Sequence, residues 1–308
     1  MVQIIERLKL LKTAFAKLPY IDDYMQQTAN YHQLKHYAEN NVLTSKENGL
    51  TDKTYDGKQL VISLTTHGKR INTVFQTIES IFRQTCRANK VVLYLSRQEF
   101  NETTIPVTLK KQTERGLEIR YVKDIGPHTK LIPALHDFPD DLIVTVDDDY
   151  MYPFDLIERL VNVHHLHPNC VCCSFSRIIR TRLGGIAPYD SFKMNFPDET
   201  TESMSFLAEG FGGILYPPGS LHSDVFREDL FMKLAPSADD LWFKAMELLQ
   251  GTPVCQVPND KSWFIRMASE EGVQDIGLKH VNVGLHRNDE QLKAILNCYP
   301  HIIEKLQR

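Results

Sequence analysis

The sequence predicts an α/β fold, with a mostly parallel central sheet flanked by helices and preceded by a helical extension. Three observations predict it. Short, continuous apolar runs alternate with segments of helical period, the pattern of parallel strands covered on both faces. Polar loops follow several of those runs, at the carboxyl ends where open sheets of this kind bind ligands. The chain of 308 residues, 42% apolar and 24% charged, is long enough for one such domain plus an appendage.

Taken in order, residues 1 to about 40 read as helical. Ile4, Leu8, Leu11, Phe15 and Leu18 form one apolar stripe, and Arg7, Lys9, Lys12 and Lys17 stand against Glu6 alone. Two readings stay open: a basic amphipathic helix lying peripherally on an anionic membrane, or a stripe packed on the main domain or a second subunit in a dimer. The polar stretch Thr44 to Gln59 reads as a linker. The expected division is therefore an extension with linker over 1–58 and a main domain over 59–308. No window has the length and apolarity of a membrane span, and charges interrupt "MVQIIERLKLLK" too often for a signal peptide.

From Leu60 the alternation begins. "LVISL" is a strand ending in the loop "TTHGKR", and residues 71–85 follow with helical period. "KVVLYLS" is a second strand, a helix is expected near 106–114, and "LEIRYVKD" is a third strand. "IGPHTKLIPALHDF" is a turn and short helix before the fourth strand, "LIVTV". Next come a helix in "FDLIERLVNVHHL" and a strand in "CVCCSFSRI". The long polar stretch 180–203 includes the pair Gly184–Gly185 and has the character of a lid, a binding loop or a disordered segment. After it come "FGGILYPPGSL", the helix "ADDLWFKAMELL", a strand in "PVCQVP", and a final helix. There, Asn288 with Gln291 three residues on reads as a capping box.

Six cysteines at irregular spacing make no disulfide framework, which points to a reducing compartment and so to the cytoplasm. In "CVCC", Cys170 and Cys172 face one side of a strand and Cys173 the other. They read as small buried hydrophobes, with zinc as the alternative. A net charge of −4 gives no reason to expect a nucleic-acid partner.

The acidic triplet Asp147, Asp148, Asp149 at the end of the fourth strand carries the chemistry. Three carboxylates beside a buried strand cost free energy unless a cation neutralises them. Oxygen donors suit Mg²⁺ or Mn²⁺. Residues i and i+2 of an extended turn share a side, so Asp147 and Asp149 can serve one ion while Asp148 faces elsewhere. A solvated turn is the plain alternative. Asp239 and Asp240 open a helix, where acids favour the first turn, and such capping is compatible with catalysis.

"IVTVDDDYMYP" resembles the DxD segment of nucleotide-sugar glycosyltransferases of the GT-A fold. "DIGPHTKL", "GFGGILYPP" and "ADDLWF" agree with it from about Gln59 onward, most closely with bacterial transferases that build capsule or lipopolysaccharide (O-antigen) glycans. The resemblance implies a UDP-sugar donor, with galactose in pyranose or furanose form as one guess, and a glycan or lipid-linked glycan acceptor. It implies Mn²⁺ or Mg²⁺ held by Asp147 and Asp149, with a C-terminal histidine, His286 ahead of His280, completing the shell. Asp148 is implied as a ribose or sugar contact, and Asp240, with Asp239 second, as the catalytic base of an inverting transfer. Thr65, Thr66 and Arg70 belong to the base-and-ribose loop and Asp124 accepts from the base. Lys130 reaches the nucleotide or braces the DxD, or is merely solvated. Gly212 and Gly213 allow close approach to a sugar or mark a tight turn. Trp242 stacks on an acceptor or belongs to the core. The competing readings are a nucleotidyltransferase, a phosphatase-like hydrolase using the Asp cluster with Mg²⁺, and a non-enzymatic sugar-nucleotide binder.

Overall fold

The computed structural model describes residues 25–182, 185–258, 268–269 and 287–306. A helix α1 (25–44) precedes the alternating part. That part runs β1 (Leu60–Thr65), α2 (Val74–Phe82), β2 (Lys90–Ser96), α3 (Val107–Thr113), β3 (Leu117–Val122), α4 (Ile132–Asp137), β4 (Leu142–Thr145), β5 (Tyr150–Met151), α5 (Leu156–Leu166), β6 (Val171–Cys173) and β7 (Ser176–Ile178). Short strands follow: β8 (Thr181–Arg182), β9 (Gly185–Ile186), β10 (Lys193–Met194), β11 (Thr201–Ser203), β12 (Phe206–Ala208) and β13 (Ile214–Tyr216). The chain then forms α6 (Glu228–Leu234), α7 (Asp239–Gln250), β14 (Val254–Gln256), β15 (Ala268–Ser269), α8 (Arg287–Cys298) and α9 (Ile302–Lys305).

Eight strands form the main sheet in the order β11-β14-β6-β13-β4-β1-β2-β3. The half from β4 to β3 is parallel, as expected. The other half is mixed, because β13 runs antiparallel to β4 and β6, and β11 antiparallel to β14. Strand alternation builds two cores. Leu60, Ile62 and Leu64 face a layer containing Val74, Ile78 and Leu160, while Val61 faces one containing Leu131, Trp242 and Phe243. Burial on both faces is what allows these strands to be continuously apolar.

Three local expectations change. "CVCCSFSRI" is two strands, not one. β6 lies in the main sheet, whereas β7 pairs with β10 and β12 in a separate antiparallel sheet. The segment 45–59 is no loose linker. Tyr55 is buried with Ala38 and Val42 of α1 in the first core, and the Thr51 amide donates to the Ala88 carbonyl. The capping box does not form: α8 begins at Arg287, and the Gln291 Oε1 accepts instead from the Ser237 amide at 3.0 Å. The apolar stripe of residues 4–18 lies outside the described residues, as does Gly184. Among the described residues, no helix is long and apolar enough to cross a membrane.

Candidate active site

Because β1 to β4 are parallel, their carboxyl ends share one edge, and a cavity of about 780 Å³ opens there. The triplet follows β4, whose residues are fully buried. Four hydrogen bonds hold its turn. The Asp147 amide donates to Tyr152 Oη at 2.9 Å, Tyr152 Oη donates to the Phe211 carbonyl at 3.0 Å, and the Thr77 hydroxyl reaches the Asp148 and Tyr150 carbonyls. On the far side, α7 starts with Asp239 and Asp240, its apolar face anchored by fully buried Trp242. Trp242 donates to the Val225 carbonyl and is core, not a stacking platform.

Lys130 joins the two acidic motifs. Its Nζ lies 3.0 Å from Asp147 Oδ1, 3.0 Å from Asp239 Oδ2 and 4.0 Å from Asp240 Oδ1. The residue is buried, so it is not a solvated lysine. Burial works against its charge, yet the carboxylates of Asp147, Asp239 and Asp240 overcome that and raise its pKa well above the usual value. The Ser63 hydroxyl of β1 fixes the Lys130 carbonyl at 2.5 Å.

Arg70 balances the rest of the triplet, pairing with Asp148 at 2.7 Å and Asp149 at 3.2 Å. Both oxygens of Asp148 are engaged, since Thr66 donates to the second at 2.5 Å. Asp148, with a donor on each oxygen, therefore braces the β1 loop. The hydroxyl protons of Thr65 and Thr66 are likewise spent, on the Tyr94 carbonyl and on Asp148. Asp124 lines the cavity, where its Oδ1 accepts from the Gly126 amide at 2.8 Å.

Charge is far from balanced. Eight carboxylates line the cavity (Glu99, Asp124, Asp147, Asp148, Asp149, Glu209, Asp239, Asp240) against three permanent cations, Arg70, Lys130 and Arg177. Burial, then the charges of Asp147 and Asp148, push Asp149 up to about 7. Burial, then Asp239, push Asp240 well above the ordinary carboxylate range against the pull of Lys130. Crowded, partly buried oxygens with too little positive charge are what a hard divalent cation relieves. The donor set fits Mn²⁺ or Mg²⁺, with Asp147 and Asp149 as the residues able to hold it. His286 and His280 lie outside the described residues.

Gly212 and Gly213 do not line the cavity. A Cβ on Gly212 would meet the Phe175 ring at 2.5 Å, and Gly213, at φ +85°, makes the turn into β13 beside Leu156. The glycine of this motif that meets the acidic pair is Gly210. Its amide donates to Asp240 Oδ2 at 3.2 Å, and a Cβ there would lie 2.5 Å from Lys130 Nζ and 3.0 Å from Asp240 Oδ1. Sequence reasoning also missed a cluster beside Asp240. Arg177 Nε pairs with buried Glu209 at 2.7 Å and its guanidinium lies 5.6 Å from the Tyr189 ring centroid, while Asn288 of α8 completes the wall. The "GFGG" motif carried a signal for Gly210; Arg177, Tyr189 and Asn288 carried none.

No family model matches the chain, and no curated protein matches it in sequence. Among solved structures, it aligns with S. aureus TarS 1-349 in complex with UDP-GlcNAc at TM-score 0.46 and 13% identity, over 66% of this chain and 56% of that one. It also aligns with GalNAc-T7 with UDP, GalNAc and Mn²⁺ at TM-score 0.43 and 12% identity, over 65% of this chain and 42% of that one. The chain thus spans little more than half the length of the first and less than half of the second.

Proposed function

We propose that this chain is a metal-dependent, inverting GT-A glycosyltransferase that moves a hexose from a UDP-sugar to a hydroxyl of a bacterial surface glycan. One observation carries the reading: the acidic triplet after β4 and the acidic pair opening α7 meet at a single buried ammonium, Lys130, at the carboxyl edge of the sheet. A nucleotide diphosphate has no favourable place among eight carboxylates unless a cation accompanies it. Asp147 and Asp149 would hold that cation, which when bound would supply Lewis-acid stabilisation of a departing diphosphate.

The chain's own groups do the rest. Asp240 is the base that removes the acceptor hydroxyl proton, a contribution of roughly 10²–10⁴-fold. Its raised pKa suits that task, and the Gly210 amide orients it through Oδ2. Lys130 holds Asp239 and Asp147 in place on either side. A base on the face opposite the leaving group gives single displacement and inversion. Arg177, Glu209, Tyr189 and Asn288 wall the space next to Asp240 and are the groups placed to meet a sugar.

The test incubates the full chain with UDP-hexoses, Mn²⁺ and candidate glycan acceptors. UDP release that requires both metal and acceptor supports transfer. Free phosphate would instead indicate a hydrolase, and pyrophosphate a nucleotidyltransferase. Full transfer by both Asp239→Asn and Asp240→Asn would eliminate the assigned base.

A further inference from the structure

Away from the cavity, a second group of metal-binding side chains meets at the opposite side of the main sheet. His167 caps the carboxyl end of α5, Cys170 immediately precedes β6, and Glu202 lies on the edge strand β11. Their donor atoms all lie within 4.8 Å of one another. The His167 Nδ1 is 2.9 Å from Glu202 Oε2, and the Cys170 Sγ is 3.4 Å from the same oxygen. None of the three lines the cavity described above. We propose that His167, Cys170 and Glu202 form a zinc site that ties the β11 edge to the turn between α5 and β6.

The local chain is shaped for it. His167-Pro168-Asn169-Cys170 is a tight turn closed by the Cys170 amide on the His167 carbonyl at 3.1 Å. That turn turns two ligands three residues apart toward one point, the spacing zinc knuckles use. Glu202 arrives from β11, directly across from Cys255 in the β11–β14 ladder. Cys170 is 4% exposed, while the His167 and Glu202 side chains are 30% and 52% exposed. A buried thiol under two half-open donors gives an ion a route in and a dry seat. Bonds of about 2.0–2.3 Å in a tetrahedron need donor separations of roughly 3.4–3.6 Å. The His167–Glu202 and Cys170–Glu202 pairs, at 2.9 and 3.4 Å, therefore open by only a few tenths of an ångström when the ion replaces the hydrogen atoms they share.

The binding step balances. The Cys170 thiol loses its proton to solvent and the thiolate binds Zn²⁺. The hydrogen that His167 Nδ1 shares with Glu202 in the metal-free protein is released to solvent while Nε2 carries one, so the ring binds through the Nδ1 lone pair and Glu202 through its carboxylate. Nitrogen, sulfur and a single oxygen favour Zn²⁺ over Mn²⁺, whereas the carboxylate cavity favours the harder ions. The two sites are thus separable by metal choice.

The experiment uses the full chain, loaded with Zn²⁺ in the presence of excess Mn²⁺ and desalted, and separately with Co²⁺ as a spectroscopic probe. One zinc is expected per chain, together with a thiolate-to-cobalt charge-transfer band in the near ultraviolet. Cys170→Ser should abolish the band, and His167→Ala, at a half-exposed position that leaves the fold intact by circular dichroism, should weaken zinc retention at least about tenfold. Folded protein without bound zinc, or a cobalt band that survives Cys170→Ser, overturns the proposal. Neither readout involves UDP or sugar transfer, so the site stands or falls independently of the catalytic reading.

Discussion

Replacing Lys130 with methionine tests the electrostatic core of the site. The substitution keeps the length of the side chain and removes one buried positive charge. In the native protein that charge faces carboxylate oxygens at 3.0, 3.0 and 4.0 Å. With an effective dielectric near 20, each contact at the shorter distance is a gross attraction of about 5 kcal/mol, largely offset by taking the ammonium out of water. Removing one member of such a buried set costs about 3–5 kcal/mol, because the other charges are left unpaired. At about 2 °C per kcal/mol for a chain of this size, melting should fall by roughly 6–10 °C. Mn²⁺ should recover part of that loss and stabilise Lys130→Met more than the native protein, since the ion restores positive charge to the same oxygens. Lys123, 65% exposed and paired with Glu228 at the surface, is the control: Lys123→Met should melt with the native protein. Differential scanning fluorimetry with and without Mn²⁺ reads all of this. Unchanged melting of Lys130→Met, or equal Mn²⁺ stabilisation of both proteins, would refute the reasoning that the two acidic motifs share one charge deficit.

Three further outcomes are expected. Gly210→Ala places a methyl 2.5 Å from Lys130 Nζ and should lower transfer about 100-fold, measured as UDP release, whereas Gly212→Ala meets the Phe175 ring and should cost about 1–3 kcal/mol of stability by denaturant titration. Glu79 is fully buried and accepts from Arg115 at 2.5 Å, Gln112 at 2.9 Å and Asn41 of α1 at 2.7 Å, so Glu79→Gln should destabilise the fold by about 3–5 kcal/mol and loosen α1 in hydrogen exchange. Burial lowers the His128 pKa below its usual 6.5, although Asp239 and the Ala235 carbonyl pull the other way and Lys130 adds to the lowering. The folded state then binds fewer protons than the unfolded one, so this contribution is complete above about pH 6.5 and is lost as pH falls below it, by at most about 1.4 kcal/mol per pH unit. Protonation would also give Nδ1 a hydrogen with no acceptor among the described residues, since Nε2 already holds the Ala235 carbonyl. His128→Gln should flatten the acid limb of a stability–pH curve measured by urea titration.

Much of the fold was legible because it is written in short periods. The continuous apolar runs "LVISL" and "KVVLYLS" mark strands buried on both faces, and they returned β1 and β2 almost to the residue. The triplet could be singled out locally too, since three acids after four buried residues are anomalous wherever the chain goes. Less was legible where a choice depends on distant neighbours. The break between β6 and β7 follows from Phe175 packing under Gly212 and from the Ser174 amide meeting the Gly213 carbonyl, nearly forty residues along the chain. In "GFGG" the pattern could not say which glycine approaches a charged side chain.

The sequence by itself determined the strand-and-helix alternation, the edge at which loops gather, and the residue types able to hold a hard cation. Only the tertiary structure decided that Asp147 and Asp239 converge on Lys130, that Asp148 ties Thr66 to Arg70, and that Arg177, Tyr189 and Asn288 stand beside Asp240. Periodicity reports which face of an element is dry, and that depends on nearest neighbours along the chain. Charge pairing depends on distance through space, which is set when the sheet closes its layers and brings together side chains far apart in sequence.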